Sequence, residues 1–346
     1  MVELYGMGSK LARIWAKENI MPLGAFKAAL MGAGTSLEYT YTKDHIVGGY
    51  GGVGYKMTNQ VYTASSNTYA VGTAYAIGTD VGYFDHAQTI NGKTGMAYLP
   101  GGAVRTDASG SENTDNNQSY GFSADTFANL TAMTVAIASA TTGIIDDNIY
   151  TAGGATSRTC NNYTNYAYEY GIGSDTWSTM TQMGTSRMRS QGFGMQVKDG
   201  SEMFVVGGMT ANCHPTYTEV DNVDGFTPSG DTWAAKTAIP VTCAMGMQSG
   251  MGDYIYSSGG DLDGSGRADT TYRYSPSGNS WVTRTSSAST QQNGWAYPII
   301  SGGSTYLYTQ GGDVEGENSD ETNSYSEASN TWTSRATMTS AGRWDP

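Results

Sequence analysis

Residues 254–281 read YIYSSGGDLDGSGRADTTYRYSPSGNSW, and this stretch decides the fold. A short apolar run from Tyr254 to Ser257 leads into Gly259-Gly260, a polar loop follows, and Tyr274 and Trp281 then stand seven residues apart. An apolar run bounded by turn residues reads as a buried strand. The polar turn between the two rings reads as a hairpin carrying one aromatic on each arm.

The unit recurs along the chain. Glycine pairs stand at Gly48-Gly49, Gly101-Gly102, Gly153-Gly154, Gly207-Gly208, Gly259-Gly260 and Gly311-Gly312, in steps of 53, 52, 54, 52 and 52 residues. Short strand-like runs precede them: His45 to Val47, Met96 to Leu99, Ile149 to Ala152, Met203 to Val206 and Tyr306 to Thr309. The aromatic pairs are Tyr62 and Tyr69, Tyr120 and Phe127, Tyr170 and Trp177, Phe226 and Trp233, Tyr274 and Trp281, Tyr325 and Trp332, always seven apart. Self-similarity at such a period is the signature of a repeat architecture, because one unit cannot bury its own apolar face.

A diglycine after an apolar strand, followed by a Tyr and a Trp at fixed separation every fifty or so residues, resembles the kelch family. The resemblance covers roughly residues 35–338 and implies an all-β, six-bladed kelch-type β-propeller of four-stranded blades around a central channel. The first two units depart from the pattern with Tyr69 and Phe127 where Trp is usual. Large rings between blades supply much of the apolar burial. Burying a Trp at about 25 cal/mol per Å2 over roughly 200 Å2 gives about 5 kcal/mol as an upper bound, so Trp233→Ala is expected to cost about 3–5 kcal/mol. The glycines read as places of positive φ or of close backbone approach.

Composition narrows the partners. The 346 residues carry a net charge of −13 with 14% charged residues and 47 glycines, a turn-rich β composition with an uncharged polar surface. An acidic chain lacks the concentrated basic surface that nucleic acid demands. Residues 1–34 are different: four basic residues (Lys10, Arg13, Lys17, Lys27) face two acidic ones (Glu3, Glu18), which leaves about −15 for the remainder. Nothing in the sequence is apolar for long enough to form a transmembrane segment.

Segment lengths locate the working surface. The hairpin between paired aromatics never changes, whereas the loop after the diglycine and the connection to the next unit do. In a propeller with strands ordered from the axis outward these two variable segments share one side of the disc, and that side is where function is expected. Its longest loops are 103–119, 155–165 and 209–225.

Several groups suggest chemistry. Asp261, Asp263 and Asp269 around Gly264 offer oxygens to a hard cation such as Ca2+, although the bidentate Glu that completes a calcium loop is absent, and a solvated acidic turn fits as well. No other cofactor is indicated. Cys160 and Cys213 fall in equivalent loops of consecutive units, so a disulfide, two free thiols and a metal site with His214 all stay open. Cys243 reads as a small core hydrophobe. The string from Gly49 to Gly54 matches a dinucleotide fingerprint by letter but precedes a strand-like run, not a helix. Three scattered histidines and no nucleophile elbow leave no catalytic residue to name. Partial Asp-box strings at Ser174 to Trp177 and Gly230 to Trp233 keep a sialidase-like glycoside hydrolase as a third reading, and a galactose-oxidase-like copper site lacks ligands.

The head of the chain, residues 1–34, reads as a separate attachment segment before a propeller of residues 35–346. Leu11, Ile14 and Trp15, then Leu23, Phe26 and Leu30, fall at helical spacing, giving two short amphipathic helices that fold back on the ring, dock on a partner protein or lie on a membrane surface. Residues 21–31 resemble the openings of virion proteins from tailed phages of marine bacteria. That resemblance implies a non-enzymatic virion structural or decoration protein, on the virion exterior, held to other virion proteins by its head and presenting the ring to a host-surface glycan or protein. A homo-oligomer is compatible with it. The alternative is an extracellular, carbohydrate-binding propeller.

Overall fold

In a computed structural model of the chain the described residues are 43–47, 50–51, 54–55, 59–75, 82–84, 87–91, 94–105, 111–157, 162–188, 193–194, 202–211, 218–262, 266–314 and 317–339. They are nearly all β: no α-helix occurs among them, only a 3-10 turn at Pro228–Gly230. The expected helices of residues 1–34 lie outside this set.

The strands of each sequence unit form an antiparallel meander in chain order, except that Phe193–Gly194 of the fourth unit pairs in parallel with Thr142 and Gly143 of the third. The third is Thr141–Ile145, Asn148–Ala152, Ala167–Gly171 and Thr176–Met180. The fifth is Met247–Met251, Tyr254–Ser258, Thr271–Ser275 and Ser280–Arg284. The second and sixth also show four strands, starting at Thr89 and Trp295, while the first (from Lys43) and fourth (from Met203) show three among the described residues. Initial strands of neighbouring sheets lie side by side, so they form the inner layer.

The rings sit where sheet meets sheet. The first aromatic of each pair is fully buried: Tyr62, Tyr120, Tyr170, Phe226, Tyr274 and Tyr325 are each at most 1% exposed. Each stacks at a tilt on its partner across the hairpin, as for Phe226 and Trp233 with centroids 4.8 Å apart. Three of them also meet a third ring from the preceding sheet: Tyr150 with Phe226 at 5.8 Å, Phe204 with Tyr274 at 5.8 Å, Tyr256 with Tyr325 at 5.7 Å. Tyr308 of the last sheet packs on Tyr62 of the first at 5.5 Å, so the two ends of the series touch.

One expectation needs correcting. The second aromatic is only partly buried, and Trp177, Trp233, Trp281 and Trp332 act through the indole N–H as much as through area. Their Nε1 atoms donate to the carbonyls of Thr131, Thr181, Thr237 and Thr285 in the preceding unit at 2.7–2.9 Å. A half-exposed indole recovers less transfer energy than a buried one, so we lower the expected cost of Trp233→Ala to about 2–3 kcal/mol.

The turn between the paired rings does more than reverse the chain. Its last residue is Asn67, Asp125, Asp175, Asp231, Asn279 or Asn330, all in the left-handed region, which short polar side chains tolerate best. The side-chain oxygen of each accepts a backbone N–H from the preceding unit: Thr73 to Asp125, Thr131 to Asp175, Thr181 to Asp231, Thr237 to Asn279, Thr285 to Asn330, and Ala336 to Asn67, at 2.7–3.1 Å. In five units the first tyrosine also donates to the same oxygen, as Tyr170 does to Asp175 at 2.6 Å. Six equivalent pins therefore run from sheet to sheet, the last returning to the first.

The diglycine requirement is visible at Gly259-Gly260, with φ of +66° and +99°. A Cβ on Gly259 would collide with the carbonyl oxygen of Gln291, and Gly260 N–H donates to that same carbonyl at 2.7 Å. Gly259 N–H meanwhile donates to Thr270 O at 3.0 Å. Only a residue without a side chain lets the segment leading to the next sheet cross here.

Candidate functional site

From the second unit on, residues that follow the diglycine pair with the segment leading into the same sheet. Asp261–Leu262 pairs with Cys243–Ala244, and Asp313–Val314 with both Gln291–Gln292 and Glu317–Asn318. Ala103–Arg105 pairs with Gly82–Phe84 and Ser111–Asn113. Single bridges join Ala138 to Ala155 and Met188 to Met209. These short pairings form a collar on one side of the sheets, built from the two segments whose lengths vary, while the constant hairpins lie at the other end of the strands.

Cross-links stiffen the collar. Asn113 Nδ2 donates to Ala155 O at 2.7 Å, joining the loops of the second and third units. Arg267 Nη2 donates to Asp313 Oδ2 at 2.7 Å and its Nε lies 2.7 Å from Oδ1, joining the fifth to the sixth. A charge-assisted hydrogen bond of this kind is stronger than a neutral one. Beneath it Arg187 is fully buried; its Nη2 donates to Val205 O at 3.0 Å and pairs with Asp224 at 2.8 Å. Burial pulls the Arg187 pKa down and Asp224 opposes this, yet a guanidinium remains charged.

The opposite ends of the seams also hold charges. Lys236 pairs with Glu202 at 2.5 Å and lies 5.7 Å from the centre of the Phe204 ring. Arg335 lies over Tyr306 and Tyr308 at 5.9 and 5.8 Å. Between the fifth and sixth sheets Glu327 pairs with Arg273 and Arg284 and accepts from Tyr256 at 2.9 Å. Burial alone would raise the Glu327 carboxyl, but Arg284, Tyr256 and Arg273 outweigh it and leave its pKa lowered. Burial, then the Glu327 carboxylate, pushes the Tyr256 hydroxyl far above its ordinary value.

Of the residues singled out from sequence, Asp261 begins a collar strand, and the Asp269 carbonyl accepts the N–H of Ser287 at 2.8 Å. Asp263 lies outside the described residues, as do Cys160 and Cys213 and the six head residues Leu11, Ile14, Trp15, Leu23, Phe26 and Leu30. Among the described residues no three His, Cys, Asp or Glu side chains form a metal-holding group. Asp313, in the sixth unit's counterpart of the Asp261 loop, is engaged by Arg267. Cys243 is a free, buried thiol in the core, with burial pushing its pKa up to about 12.

Sequence reading missed a further ring that recurs in five of the six units. Tyr98, Tyr150, Phe204, Tyr256 and Tyr308 all stand three residues before a diglycine, a spacing as regular as the one that was noticed.

No protein-family model matches the chain, and no curated protein matches it. Among solved structures it is similar to YjhT, with a TM-score of 0.66 at 12% identity, covering 86% of this chain and 95% of that one. No helix among the described residues is long and apolar enough to cross a membrane. At so low an identity the likeness shows the fold alone: this chain has an all-β fold like that of YjhT, a kelch-type β-propeller.

Proposed function

We propose that the six meanders are the blades of a closed six-bladed kelch-type propeller, and that the chain is a non-enzymatic structural and binding module. Residues 1–34 attach it to a particle, the virion exterior suggested by residues 21–31, and the collar side meets a glycan or protein of the host surface. One observation carries the binding reading: length variation is concentrated in segments that the fold gathers into a single collar, stiffened by Arg267–Asp313 and Asn113–Ala155. The charge chemistry agrees, since the carboxylates with lowered pKa are each engaged in joining one sheet to the next. Perturbed groups can also mark catalysis, and here they have structural work to explain them.

The test uses the full chain. A Leu11→Asp, Trp15→Asp, Phe26→Asp variant should keep the thermal unfolding of the parent while losing co-sedimentation with the particle; unchanged co-sedimentation would end the attachment idea. A glycan array with the intact chain then separates an adhesin from a scaffold, and steady turnover of a sialoside would replace the binding reading with a hydrolase.

A further inference from the structure

Between the third and fourth sheets, at the end remote from the collar, lies a cleft of about 230 Å3 lined by Ile145, Asp146, Tyr150, Glu169, Pro228 and Ser229. Glu169 is held in place: its Oε1 accepts from Asn148 Nδ2 at 2.6 Å and from the Tyr150 hydroxyl at 3.1 Å. Tyr150 is 5% exposed, and burial pushes its hydroxyl up to about 12. No cation among the described residues pairs with Glu169 or Asp146.

The next three seams differ at the equivalent place. Lys236, Arg284 and Arg335 stand at the end of the outer strand, and each lies against the aromatic or carboxylate groups of its seam. At the fifth and sixth sheets the residue equivalent to Glu169 is Arg273, whose guanidinium lies 4.1 Å from the centre of the Tyr254 ring and pairs with Glu327. In the third sheet the outer-strand position is Met180, and the hairpin position equivalent to Glu327 is Pro228. The cleft thus keeps the tyrosine and carboxylates of a cation site while lacking the internal cation that fills its sister seams.

We propose that this cleft binds a guanidinium group from outside the chain, with Glu169 as the counter-ion, Tyr150 as the wall and Asp146 at the rim. Planar, weakly hydrated guanidinium suits a slot between an aromatic ring, a proline and an oriented carboxylate. The site lies away from the collar and does not depend on the collar's role.

Titration of the full chain with Nα-acetyl-arginine amide at low ionic strength, followed by calorimetry, tests this. Saturable binding should weaken about tenfold in Glu169→Gln, the loss of one charge-assisted hydrogen bond. It should not change in Asp253→Asn, which removes an equal charge from an exposed turn of the fifth sheet. Met180→Arg, which restores the sister-seam cation, should abolish binding and raise Tm. Equal weakening by Glu169→Gln and Asp253→Asn would show only the overall negative charge and overturn the proposal, as would no saturable binding by the parent; should Met180→Arg not fold, the first two variants still decide.

Discussion

Four seams, from the second and third sheets through to the fifth and sixth, are closed by an indole N–H reaching the preceding unit's carbonyl; the two seams that flank the first sheet are not. At the sixth and first sheets Tyr69 substitutes a hydroxyl contact to Thr322 Oγ1 at 2.6 Å. At the first and second, Phe127 offers only its ring, edge-on to Tyr75 at 5.2 Å. Both regions share the buried first aromatic and the Asn or Asp pin. The difference teaches that the pin and the buried ring suffice to place a sheet, while the indole adds a latch that strengthens it.

Four measurements can break or sharpen that contrast. Tyr170→Ala in a latched seam and Tyr62→Ala in an unlatched one should each cost about 3–5 kcal/mol in urea unfolding, since both delete a fully buried ring. A much smaller loss at Tyr62 would mean that the shared ring is not what holds the first sheet. Trp233→Phe should cost about 1 kcal/mol, keeping the ring and losing the bond to Thr181 O. The reverse change, Phe127→Trp, should gain about 0.5 kcal/mol if the Thr73 carbonyl accepts the new N–H, and a loss would show that the Tyr75 contact fills that space.

The smallest effect is in pH. Asp125 and Asp175 have folded pKa values below the ordinary 3.8, the first chiefly through the Thr73 N–H and the second chiefly through the Tyr170 hydroxyl. A depressed folded pKa means that their stabilisation is present above the unfolded value and is lost as pH falls through the folded value. Both are exposed to solvent and so modest in effect. Asp125→Asn with Asp175→Asn keeps the acceptors and removes the titration, so Tm should fall less between pH 4.5 and roughly pH 2.5 than in the parent. Identical acid profiles would assign the acid response to other carboxylates.

Much of the fold was legible because it is repeated. Gly259-Gly260 and its five counterparts could be found by position alone, and the five pairs among the described residues all take positive φ. The aromatic spacing placed Tyr274 and Trp281 opposite each other on a hairpin, as they are. The same spacing could not tell that Tyr274 is sealed while Trp281 is half-exposed, because both look alike as letters. Nor could it show that Asn279, read as a turn residue, also accepts an N–H from the preceding unit at 2.8 Å. The candidate cleft was invisible for a related reason: Glu169 and Pro228 are 59 positions apart in the chain, and their meaning lies in which cation is absent between them.

Sequence by itself determined the unit, its count and which segments vary in length, since these follow from periodicity and turn chemistry that each unit carries locally. Tertiary structure alone decided which rings seal the seams, that the last sheet docks on the first, and where charges meet their partners. Those outcomes depend on pairs of groups from different units, whose burial and hydrogen bonds exist only once the sheets are packed side by side.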